Sequence, residues 1–348
     1  MSSTIKRPDL SQLDHEVVAY IEALEAELEQ LRDKKSSAPP SPREATFEQS
    51  EPPTTLNVVT LSQQGFIKRT ARHHYLRQRR GGMGIFDMEV TGDDAPALLT
   101  VVNESHALLL VTNQARAFKV PTRQITETPI RSKGQNLLTT LPLRDDESAA
   151  LLMPLQESGY LTIVTKQGEV RRIRHSFLGY NMEPGYLLFD YRSLGAPAAA
   201  CWSKNDKELF IATRNGRAIR FAEQLISYKG GLGIRLSDGD EVVGVTVVTE
   251  ESGVFLLSED GKGIIRQMSG FAPNKAPGSG GKNAMKTNRL IGATTTEAGD
   301  DLFITSQLGK IIRFNADEVS TTEGVVQGVH CMGLRADEPT ALIATNVS

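Results

Sequence analysis

One hairpin pattern recurs six times between residue 56 and the C-terminus, and few folds are open to a chain built that way. The copies are residues 58–69, 109–119, 162–172, 210–220, 255–266 and 303–313. Each is an apolar strand ending in Thr or Ser, a short polar turn, and a second strand carrying a cation. The turns close on Gly65, Ala115, Gly168, Gly216, Gly261 and Gly309, spaced by 50, 53, 48, 45 and 48 residues. Asn215-Gly216 and Asp260-Gly261 are strong hairpin signals, because such turns need a positive φ that glycine adopts without strain. Ala115 breaks the rule and marks a strained or different turn.

Ahead of most hairpins lies a further apolar run: 98–102, 198–201, 242–248 and 291–295. There is no helical period between the units. Six strand-rich units of about 50 residues point to radial repetition of small sheets, with short edges covered by neighbours. The expected fold is all-β, a six-bladed β-propeller or β-pinwheel over residues 57–348. Unit one lacks the preceding strand, and the last apolar run, 341–344, has no hairpin after it. That run is expected to complete unit one and latch the ring.

The N-terminal part reads differently. Val17, Ile21, Leu24, Leu28 and Leu31 recur at alternating spacings of four and three, behind a short capping box at 11–14. A short N-terminal α-helix is expected over 11–34, within a segment 1–34 that either forms a homodimer, docks a partner or rests on the chain's own surface. Residues 35–56 are rich in Ser and Pro and read as a disordered linker.

Charge is unevenly spread. Of 39 Lys/Arg and 42 Asp/Glu, residues 1–55 hold 6 and 11, leaving 33 and 31 for the rest, so a net −5 precedes a net +2. The ring is mildly basic, which excludes a histone-like protein and leaves room for a basic stripe. No apolar run is long enough to cross a membrane, and the first residues show no secretory h-region. Cys201 and Cys331 lie 130 residues apart, without metal-type spacing. They read as buried, reduced thiols in a cytoplasmic protein.

Four residues past each turn stand Arg69, Lys119, Arg172, Arg220 and Arg313. In unit five Gly263 reads as an insertion that moves the cation to Arg266. Period-two alternation sends Phe118, Ile173, Phe221 and Phe314 to the other face. Six cations in register are expected to form a belt on the outer rim, a geometry for phosphates along a bent duplex. A second glycine site follows most hairpins: 81–84, 230–233 and 278–281, with weaker versions at Gly134, Gly185 and Gly328. Lys229, Arg131, Lys133, Lys275 and Lys282 accompany these loops. The most basic copy is Gln78-Arg79-Arg80-Gly81-Gly82-Met83-Gly84, preceded by Arg77, where guanidinium groups sit beside a permissive backbone.

The repeated hairpin with its basic strand resembles the C-terminal β-pinwheel domain of DNA gyrase A. Residues 78–84 are similar to that family's Q-R-R-G-G-K-G box in six of seven positions, with Met83 in place of lysine. The resemblance covers about 56–348. It implies wrapping of double-stranded DNA around a basic perimeter, with Gln78, Arg79, Arg80, Gly81, Gly82 and Gly84 as box residues. Arg69, Lys119, Arg172, Arg220, Arg266 and Arg313 would then lie on or near the rim. Residues 1–55 have no room for the family's breakage-reunion domain. The expectation is therefore a free-standing, non-catalytic, nucleoid-associated DNA-binding protein, acting alone or assisting a gyrase or topoisomerase core in trans. The alternative is a protein-interaction scaffold with degraded DNA binding. No cofactor is expected. The histidines supply no metal site, only His73 and His74 being adjacent, and no P-loop or nucleophile constellation is present.

Overall fold

The computed structural model describes residues 51–179 and 181–345, together with Val17 and Ile21. The chain divides into two units, Met1–Gln49 and Ser50–Ser348. Val17 and Ile21 are helical. The rest of the expected helix, its dimerising role and the linker as far as residue 50 lie outside the described residues. The linker's last residues are ordered on the ring: Glu51 pairs with Arg72 at 2.6 Å, and the Thr55 carbonyl accepts from the Glu104 N–H at 3.0 Å. That corrects the expectation of disorder through residue 56. Among the described residues, no helix is long and apolar enough to cross a membrane.

The second unit is a six-bladed β-propeller, each blade a sheet of at least four strands. The six repeated hairpins form the blade centres: Leu56–Ser62 with Phe66–Ala71, Ala107–Thr112 with Arg116–Pro121, Tyr160–Thr165 with Glu169–Arg174, Glu208–Thr213 with Arg217–Ala222, Gly253–Ser258 with Lys262–Gln267, and Asp301–Ser306 with Lys310–Asn315. All six turns share one geometry, with the residue at the glycine position donating to the carbonyl three residues back. Ala115 adopts it too, at φ 56°, so unit two has the same turn as its neighbours and bears the left-handed strain on an alanine.

The order of strands corrects the expected pairing. Pro96–Asn103 does not open the second unit; it pairs with Leu56–Ser62 as the inner strand of blade one. Likewise Pro339–Thr345 pairs with Asp301–Ser306 inside its own blade six, so the last apolar run does not complete unit one. The ring is latched instead by Ile85–Phe86, just after the Arg/Gly heptad, which pairs with Lys310–Asn315 as the outermost strand of blade six. The reason is local. In each blade the first hairpin strand takes the inner strand on its free edge, while a two-residue strand from the next unit covers the outer edge. The six inner strands meet their neighbours around a central cavity lined by small residues, including Ala150, Ala198, Gly244 and Ala293.

The hydrophobic core is divided among six seams, one between each consecutive pair of blades. Blades one and two share Val59, Ile67, Leu110 and Phe118. Blades six and one share Phe303 and Ile311 with Val58, Tyr75 and Leu99. Both faces of every blade are therefore covered, which decides where the second-strand cations go.

Candidate nucleic-acid interface

Alternation along a strand separates solvent from core only when one sheet face is wet. Here neither is. Arg69, Arg172, Arg220 and Arg313 point into the seam ahead of them and reach the short helical turn of the next unit. Arg69 Nε donates to the Ile125 carbonyl at 2.9 Å, and an Arg220 nitrogen donates to the carbonyls of Met268 at 2.7 Å and Phe271 at 3.1 Å. Arg172 binds Glu223 at 2.7 Å. Arg313 crosses the closing seam, donating to the Tyr75 carbonyl at 2.9 Å and pairing with Asp301 and Glu51. These four are buried inter-blade clamps rather than a rim belt.

The other two positions differ. Lys119 is exposed. Gly263 is no insertion: Ile265 faces Phe255 in the register where Arg313 faces Phe303, so Ile265 holds the clamp position of blade five. Arg266 lies one residue on, on the opposite face, with its guanidinium 5.6 Å from the Phe271 ring. The Ile265 N–H instead donates to the Ser320 carbonyl at 3.2 Å, and Thr321–Thr322 adds a parallel strand there.

The Arg/Gly heptad lies across the closing seam. The Gln78 N–H donates to the Arg313 carbonyl at 2.7 Å, and the Gly81 N–H to the Cys331 carbonyl at 2.8 Å. The Gly82 carbonyl accepts from the Gly333 N–H at 2.8 Å. Arg77 turns inward onto the buried carboxylate of Asp301 at 2.6 Å, so it belongs to the closure and not to the surface. Arg79 and Arg80 are exposed; Arg80 donates to the His330 carbonyl at 3.2 Å, and Arg79 has no side-chain partner among the described residues. His73 and His74 sit on the helical turn Arg72–His74 and not on a strand.

Gly84 shows why this loop needs glycine. Its φ is +71°, and a Cβ there would lie 2.6 Å from the Ile311 carbonyl oxygen. We expect Gly84→Ala to cost about 2–3 kcal/mol from left-handed strain plus displacement of the closing strand. Chemical denaturation checks it, with exposed Gly239→Ala, which meets no atom, as the reference for the φ term alone.

Two carboxylates, the buried Glu147 and the half-buried Glu51, make the ring acid-sensitive. Burial alone would raise the Glu147 pKa, but the Thr112 hydroxyl, the Arg144 N–H and the Arg116 guanidinium outweigh it and hold the group below its ordinary 4.5. Glu51 is lowered in the same way, against its burial, by Arg72 and Arg313. With the folded value below the unfolded one, the stabilisation is complete above the ordinary value and drains as pH falls through it toward the folded value. Melting temperature is thus expected to drop steeply below about pH 4.5. Glu147→Gln should start lower at neutral pH and show a shallower acid slope. An unchanged slope would show that Glu147 is not part of the acid response. Burial pushes both cysteine thiols up to about 12, so neither is a nucleophile at neutral pH.

Seven cations remain on the loops leading into or flanking the short outer strands. Arg79 and Arg80 stand at blade six, Arg131 and Lys133 at blade one, Lys229 at blade three, and Lys275 and Lys282 at blade four. Lys133 is half-buried, its ammonium 4.0 Å from the Phe66 ring. The corresponding loops at blades two and five, residues 176–185 and 320–328, contain no Lys or Arg. The cations of these loops therefore fall into two arcs on opposite sides of the ring, at blades six and one and at blades three and four, rather than one belt. The glycine loops were legible in the sequence as companions of these cations. Their dominance over the second-strand arginines was not, because burial between blades leaves no mark on a two-residue period.

Comparison with known proteins agrees with this architecture. The family described as DNA gyrase C-terminal domain, beta-propeller, matches residues 56–95, 106–153, 207–249 and 300–338. The DNA gyrase A protein of Staphylococcus epidermidis is 29% identical over 291 residues, covering 80% of this chain and 33% of that protein. The Staphylococcus aureus protein is 26% identical over 301 residues, covering 82% and 34%. The chain thus spans about a third of the length of the curated relatives it matches. A solved DNA gyrase A C-terminal domain superposes with a TM-score of 0.70 at 21% identity, covering 82% of this chain and 98% of that one. The C-terminal domain of DNA topoisomerase IV gives 0.58 at 18% identity, covering 84% and 94%. With the hairpin repeats, the shared fold and the heptad at its closure, this chain belongs to the DNA gyrase C-terminal β-propeller family.

Proposed function

We propose that the ring, residues 57–348, binds and wraps double-stranded DNA without reading its sequence, in the service of a type II topoisomerase. The observation that carries this is the exposed pair Arg79 and Arg80, held over the closing seam by a glycine loop and flanked by the Arg131–Lys133 loop of blade one. Together they make one arc of charge, and Lys229, Lys275 and Lys282 make the other. Duplex DNA bridging the two arcs bends around the ring and crosses blades carrying no loop cations. The protein itself does no chemistry in this reading. It works on DNA in the cytoplasm, with a topoisomerase core as its partner. Residues 1–34 serve as the docking or dimerising segment and 35–50 as the tether.

Binding that rests on phosphate contacts releases counterions, so log K should fall linearly with log salt at a slope near −0.9 per contact. A duplex titrated between about 50 and 200 mM salt should lose affinity by roughly a thousandfold if six of the seven loop cations engage. Flat or absent binding would remove the proposal. A protein-interaction scaffold is the second reading, favoured by the exposed apolar outer edge of blade two at Tyr186 and Leu187.

A further inference from the structure

A cleft of about 640 Å³ opens where the outer edges of blades two, three and four meet. Its size suits a small organic group. Four aromatic rings line it: Tyr160, Phe177, Tyr186 and Tyr228. The last three are exposed, Tyr228 at 85%. Exposed aromatics gathered in one concavity are costly in water and mark a recognition site. They are not filling a seam, since the core between blades two and three is closed by Leu161, Leu178 and Phe189 beneath.

Two polar groups in the cleft are unspent. Arg172 is more than nine-tenths buried; its guanidinium lies 4.6 Å from the Tyr160 ring and gives one nitrogen to Glu223, but its Nε–H has no hydrogen-bond partner. Asn205 Oδ1 is likewise buried without a partner. Both line the cleft. A buried donor and a buried acceptor left open are each costly unless a ligand supplies the complement. The cleft mouth is cationic: Arg174 is exposed on its wall, and Lys229 lies beside Tyr228, 5.7 Å from the ring.

A planar ring bearing both an acceptor and a donor, attached to an anionic backbone, meets all these demands. We propose that the cleft takes an unstacked nucleobase: the base lies between Phe177 or Tyr228 and the wall of the cleft, accepts from Arg172 Nε–H and donates to Asn205, while Arg174 and Lys229 hold the flanking phosphates. Stacking on aromatics is sequence-tolerant. The proposal rests on the DNA-binding reading, because Lys229 belongs to the second arc.

The test uses the full chain and two duplexes, one fully paired and one with a single bulged 2-aminopurine. The bulged duplex should bind roughly tenfold tighter, with its fluorescence quenched on binding. Phe177→Ala with Tyr228→Ala, both exposed and outside the core, should abolish preference and quench while leaving the paired duplex and the melting temperature unchanged. Equal binding of the two duplexes, or a preference that survives the double substitution, overturns the cleft while DNA binding stands. Failure to bind either duplex defeats the DNA reading itself, and the cleft proposal with it.

Discussion

Arg313→Ala is expected to lower the stability of the ring more than any other single cation removal. Arg313 joins blade six to blade one through the Tyr75 carbonyl and Glu51, pairs with Asp301 of its own blade, and is 3% exposed. Loss of one partner from a buried, hydrogen-bonded ion pair costs about 3–5 kcal/mol, because the remaining charge stays buried. Asp301, fully buried, would keep only Arg77. The position adds to the effect. Every other pair of neighbouring blades is tied near the centre by a short connection such as residues 104–106; the closing seam has none, only the heptad loop and the strand Ile85–Phe86. At about 2 °C per kcal/mol, the melting temperature should fall by roughly 6–10 °C. Lys119→Ala, at the same place in the repeat but exposed, should stay within about 0.5 kcal/mol. Equal effects at the two positions would show that the clamps do not hold the ring. Arg313→Lys separates charge from geometry, since an ammonium cannot reproduce the forked contacts.

The contrast between Arg313 and Lys119 also shows how far the sequence reaches. Hairpins, turn positions and the number of blades were legible because each depends on local rules: alternation, a Thr or Ser before the turn, and glycine where φ is positive. The box was legible because three glycines in four residues permit few structures. Three things were not. Which strand joins which blade depends on partners about 40 residues apart, as with Leu56–Ser62 and Pro96–Asn103. Whether a strand cation faces water depends on a second sheet that no local pattern announces, so Arg69 and Arg220 read as rim and lie in seams. Unit five reads as an insertion because Gly263 and Arg266 suggest one; the register shows an isoleucine at the clamp position and an altered neighbour strand in compensation. The aromatic cleft escapes the sequence for the same reason: Tyr160, Phe177 and Tyr186 come from unit three and Tyr228 from unit four, and they converge only when neighbouring blades pack.

Replacing Arg79 and Arg80 together by alanine should separate DNA binding from stability, as no clamp residue can. Neither side chain is buried; among the described residues the only side-chain hydrogen bond given up is that from Arg80 to the His330 carbonyl at 3.2 Å, at the surface. The melting temperature should move by no more than about 1–2 °C. Duplex affinity at moderate salt should fall roughly ten- to a hundredfold, and the slope of log K against log salt should become shallower by about 1.8, two contacts at 0.9 each. Because these arginines stand at the seam where the ring closes, their loss should also release one end of a wrapped duplex, read as fewer topological turns trapped when a nicked circle is ligated with the protein bound. Met83 offers the reverse change. It is exposed within the same loop, where the gyrase box carries lysine, so Met83→Lys adds a charge without disturbing a packed residue. Affinity should rise about tenfold and the salt slope should steepen by about 0.9. If the arginine pair falls silent in binding while Lys229→Ala and Lys275→Ala weaken it, the duplex is held on the arc of blades three and four, and the heptad serves the closure of the ring alone.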